Sequence, residues 1–83
     1  VSDVAVLREL FGFPQAEGRL VLALLSGLSV PHFAQKAGVT YNTARTLLAR
    51  AMARAEARTQ LDLVLRVTSA LGGANAGRLP VQA

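Results

Sequence analysis

Residues 36–58 contain Lys36, Arg45, Arg50, Arg54 and Arg58 against one acid, Glu56, a net charge of +4. The rest of the chain sums to zero, so the entire formal charge of +4 belongs to this stretch. A guanidinium is a permanent cation with a planar fork of donors, suited to phosphate oxygens and to the edge of a guanine. Wound at about 100° per residue, Asn42, Arg45, Thr46, Ala49 and Ala53 gather on one face. Arg50, Arg54 and Arg58 recur every fourth residue along a flank. The chemistry this pattern offers is hydrogen bonding to nucleic acid. Asn42, Arg45, Thr46 and Ala49 are the candidate base-reading residues. Arg45 can donate twice to guanine, and Thr46 or Ala44 can offer a methyl to thymine. Lys36, Thr43, Arg50 and Arg54 are the candidate phosphate contacts, which position a protein without reading sequence.

Other chemistries lack their residues. The chain has no Cys and one His, His32, and its five acids are scattered. This excludes disulfides and thiolate metal sites and disfavours any metal centre. No nucleophile–base pair or Gly-rich phosphate loop is visible. Gly12 and Gly18 read as helix punctuation. The expectation is a non-enzyme with no catalytic residue, metal, cofactor or small-molecule ligand. An isoelectric point near 11.2 in a chain that is 52% hydrophobic points to a small folded domain with duplex DNA as its leading partner.

The elements that must hold these residues are helices. Ala and Leu make up 29 of the 83 residues, and both favour helix. Spacing and caps predict helices over 2–12, 14–26, 29–37, 41–57 and 59–72. The fold class expected is all-α, a helix-turn-helix bundle of four to five short helices. Ser2 or Asp3 can cap the first helix, and Pro14 or Gln15 falls in the first turn of the second. Gly27 stops the second helix, with Leu28 folding back on it. Ser29 caps the third, and Gly38 permits the turn. Thr40 caps the fourth, and Thr59 with Asp62 opens the fifth in a capping-box-like pair. Residues 1–12 are expected as a lead-in helix or linker, 13–71 as the domain, and 72–83 as a flexible tail.

A short helix, a turn with Gly and a longer helix form the helix-turn-helix pattern, in which the second helix enters the major groove. Ala44, Leu48, Ala51 and Ala55 give that helix a buried stripe. The last helix is apolar on two sides. Leu61, Val64, Leu65 and Leu71 form one face, and Leu63, Val67 and Ala70 the other. One face can pack on the domain and the other on a second copy. Leu63, Val67 and Ala70 are the residues expected at a homodimer interface, with the helix over 2–12 as the alternative cover.

Phe11–Leu71, about three quarters of the chain, resembles the C-terminal DNA-binding domain of LuxR/FixJ/GerE-type bacterial transcription regulators. Phe13-Pro14-Gln15-Ala16-Glu17 and Leu20 stand where that family has LTPxE…VL. Gly27–Thr40 stands where it has GLSxxEIAxxLGIS, and Thr43–Leu48 where it has TVKxHL. Gln60–Val64 is similar to its RxELV helix. The resemblance implies an output domain behind a sensor or receiver domain, dimerising through its last helix. The departures are His32 for Glu, Leu47 for a polar residue, Ala49 for a basic one, and Glu56 for the Gly that ends the reading helix. Glu56 implies either a shifted turn or a longer fourth helix.

The function expected is sequence-specific DNA binding in transcription regulation. The alternatives are a protein-interaction or dimerisation module on the same scaffold, or a sigma region 4-like domain. The apolar helix beyond the basic one argues against the sigma-like alternative. No segment is long enough to span a bilayer and no signal peptide is visible, so the compartment expected is the cytoplasm. The chain begins with Val, which fits processing or a piece of a longer protein equally.

Overall fold

A computed structural model describes residues 3–72. They form five helices: α1 (Asp3–Phe11), α2 (Gln15–Leu25), α3 (Val30–Ala37), α4 (Tyr41–Ala55) and α5 (Gln60–Gly72). The fold is an all-α bundle. Helix α2 packs against each of the other four, α4 packs on α3 and α5, and no strand occurs among the described residues. None of these helices is long and apolar enough to cross a membrane. Ser2 and residues 73–83, most of the expected tail, lie outside the described residues. Gly72 is the last residue of α5.

Local chemistry sets most of the boundaries. Leu28 N–H donates to Ala23 O at 3.0 Å and Gly27 N–H to Leu24 O at 3.0 Å, closing α2 with the expected Schellman end. Ser29 Oγ accepts from His32 N–H at 3.2 Å and starts α3. Gly38 takes φ 73°, which lets Val39 N–H return to Ala34 O at 3.0 Å. Thr40 Oγ1 accepts from Thr43 N–H at 3.0 Å and starts α4.

Two boundaries depart from expectation. Pro14 is the N-cap of α2 rather than part of its first turn, and it adds no side-chain cap. Helix α4 stops at Ala55, two residues early, because Glu56 itself adopts the left-handed conformation at φ 56°. Its N–H reaches Ala53 O at 3.2 Å and Ala57 N–H reaches Met52 O at 2.8 Å. The glutamate makes the same Schellman end that Gly makes elsewhere, so the turn keeps its place and the helix is not extended. Arg58 therefore lies beyond α4 and drops out of the arginine stripe.

The core is built from every helix. Leu7, Phe13, Leu20, Val21, Leu63 and Val67 are its largest fully enclosed side chains. Removing such a side chain from water contributes about 1.5–3 kcal/mol. Leu7 comes from α1, so residues 3–11 are part of the bundle and not a linker in front of it. Gly18 lets α1 approach α2, since a Cβ there would lie 3.3 Å from Val4 Cγ1. That close approach explains a glycine inside a helix, where it costs about 1 kcal/mol against Ala.

The last helix corrects the expected dimer interface. Leu63 and Val67 are fully buried within the monomer, packed into the shared core. They are not available to a second copy. Ala70 is exposed, as are Leu61 and Leu65, while Val64 and Leu71 are half-buried. Of the three expected interface residues Ala70 alone is exposed, and the large apolar side chains that α5 leaves exposed are Leu61 and Leu65.

Candidate nucleic-acid interface

Helix α4 buries Ala44, Ala51 and Ala55, with Leu47, Leu48 and Met52 half-buried beside them. Small residues on that edge let it lie close against α2, α3 and α5. Ala44 is in the core, so it cannot present a methyl to a base. Asn42, Arg45, Thr46, Ala49 and Ala53 are all exposed, and Thr43, Arg50 and Arg54 flank them. The four expected base-reading residues therefore share one surface at the N-terminal half of α4.

The polar groups on this surface are partly engaged. Thr46 Oγ1 donates to Asn42 O at 3.1 Å, so the hydroxyl hydrogen is turned to the backbone. The guanidinium of Arg45 lies over the Tyr41 ring, 5.8 Å from its centroid, and Nη1 donates to the Tyr41 hydroxyl at 3.4 Å. Thr40 Oγ1 donates to Thr43 Oγ1 at 2.9 Å, which orients the Thr43 side chain at the helix start.

The expected phosphate contacts Lys36, Thr43, Arg50 and Arg54 are all exposed. Arg54 is different. Its Nε donates to Glu17 Oε1 at 2.7 Å, and Glu17 is 3% exposed. Arg54 is first the partner of a buried carboxylate on α2 and ties α4 to that helix. At the start of α5 the backbone N–H of Arg58 donates to Asp62 Oδ2 at 3.0 Å. That bond, followed by the Arg66 guanidinium, holds the Asp62 carboxyl below the ordinary aspartate range. Asp62 N–H in turn donates to Thr59 Oγ1 at 3.0 Å. The expected capping pair is present, with the carboxylate displaced one residue towards Arg58.

Sequence reasoning gave Arg19 no role. It is exposed on α2 and shares a shallow groove with Lys36, Phe33 and Ala37. A second groove joins it to Gln15, Val39 and Leu47, on the flank of α4. No local spacing marks it, because Phe33, Lys36, Val39 and Leu47 are distant in sequence. Among the described residues no three His, Cys, Asp or Glu side chains gather as a metal site requires. Compared with family models, curated proteins and solved structures, the chain matches none of them.

Proposed function

We propose that this chain is the DNA-binding output domain of a bacterial transcription regulator of the LuxR/FixJ/GerE type. Helix α4 enters the major groove of duplex DNA, in the cytoplasm. Asn42, Arg45, Thr46 and Ala49 meet base edges, and Lys36, Thr43, Arg50 and Arg19 meet phosphates. One observation carries the reading. Helix α4 turns its alanine edge inward and leaves a continuous exposed face of polar, basic and small residues that contains no acid. That is the surface a helix needs in a groove about 12 Å wide. The resemblance adds an upstream sensor or receiver domain and a second copy of the chain. The second copy packs on the exposed Leu61 and Leu65 of α5. A twofold pair would read a pseudo-palindrome.

A salt titration against random duplex DNA tests the reading. With Arg19, Lys36 and Arg50 on phosphates, log K against log salt has a slope of about −2.7 per protomer. Affinity then falls about 40-fold between 50 and 200 mM salt. Absence of binding at low salt would favour the second reading, a protein-interaction module. The bland Ala49 and Ala53 in the middle of the face are what favour that alternative.

A further inference from the structure

The exposed face of α4 has few groups with which to discriminate bases. Thr46 donates its hydroxyl hydrogen to the carbonyl of Asn42, so without breaking that bond it offers no donor, only the acceptor lone pairs of its oxygen and its methyl. The guanidinium of Arg45 is held at one edge of the face by the ring and hydroxyl of Tyr41, one turn earlier. Tyr41 is about half exposed and starts the helix, so its position is fixed by the Thr40 cap. A fork held in one orientation loses less freedom on making two parallel bonds than a free one does.

We propose that Tyr41 and Thr46 set which DNA the helix reads. Tyr41 is a positioning residue that aims Arg45 at the N7 and O6 acceptors of a guanine. Thr46 puts its methyl against the methyl of a thymine on a neighbouring base pair. On the wheel Arg45 and Thr46 stand about 100° apart, at opposite edges of the face, with Ala49, Asn42 and Ala53 between them. The small Ala49 lets both edges reach the groove floor. The target class is thus duplex DNA with a guanine and a thymine side by side in each half-site. This inference rests on the DNA-binding reading and names its substrate.

The test begins with duplexes selected from a random pool by the 83-residue chain. Affinity is then measured with each guanine replaced by 7-deazaguanine and each thymine by deoxyuridine. Loss of N7 at the Arg45 position is expected to weaken binding about tenfold. Loss of the methyl at the Thr46 position is expected to weaken it about fourfold. In Tyr41→Ala the guanine effect should shrink to about threefold while affinity for random duplex stays within twofold. Tyr41→Phe, which keeps the ring, should restore most of it. Thr46→Ser keeps the hydroxyl bond and should abolish the deoxyuridine effect. If neither replacement matters in the unaltered chain, or the variants leave both effects intact, this assignment falls and the DNA reading stands. If the chain selects and binds no duplex at low salt, both fall.

Discussion

Arg54→Ala is the perturbation that separates a structural from a DNA-binding role for the basic helix. Glu17 is 3% exposed and Arg54 holds it at 2.7 Å, with the Arg side chain 43% exposed. Removing the guanidinium leaves a carboxylate in the core with no cation. Breaking a fully buried pair this way costs about 3–5 kcal/mol. The half-exposed Arg lets water reach part of the cavity, which brings the expected loss to about 2–3 kcal/mol. A domain of this size has a total stability of about 4–12 kcal/mol, so the variant loses a large share of it. At about 4–8 °C per kcal/mol, the melting midpoint should drop by roughly 10–20 °C. Chemical denaturation at pH 7 gives the same quantity independently. Adding Glu17→Gln to Arg54→Ala should recover about 1 kcal/mol or more, because the buried group is then neutral. A midpoint shift below about 3 °C for Arg54→Ala would refute the argument. It would mean that Glu17 is already well solvated and that Arg54 is free to act on phosphates.

Three further outcomes are expected. Glu56→Gly should raise stability by about 1 kcal/mol by thermal melting, since it removes the left-handed strain at φ 56°. Leu63→Ala should cost about 2–5 kcal/mol in a denaturant titration, whereas Leu65→Ala should cost under about 1 kcal/mol because Leu65 is already 56% exposed. Asp62, held low by Arg58 N–H and Arg66, adds stability that is present above the ordinary aspartate value of 3.8 and lost as pH falls through the depressed folded value. Asp62→Asn should therefore melt below the unaltered chain at pH 7, and the gap should close on acidification through and below pH 3.8.

The helix-turn-helix unit was legible because its signals are local. Ser29, Gly38 and Thr40 are each read from one residue type at one place, and each makes the bond expected of it. The exposed face of α4 was legible for the same reason, since one turn of periodicity decides it. The errors came from relations that local sequence does not contain. Arg54 sat in a regular four-residue stripe, but its partner Glu17 lies on another helix. The two apolar stripes of α5 are equivalent by periodicity, and only the seat offered by α2 and α4 decides which is buried. Glu56 stands where the resemblance has a glycine, which leaves the chain two ways out. The backbone took neither, and kept the left-handed turn at the cost of strain in the glutamate.

The contact of α2 with all four other helices has a kinetic consequence. No other helix of the bundle can dock completely until α2 is formed and placed. Leu20 and Val21, fully buried on α2, should be largely in native contact at the rate-limiting step. Leu20→Ala should then slow refolding, with φ above about 0.5, while Leu7→Ala on α1 should mainly speed unfolding. A pair of chevron plots decides it, and equal φ-values near zero would deny α2 that place in the order of assembly.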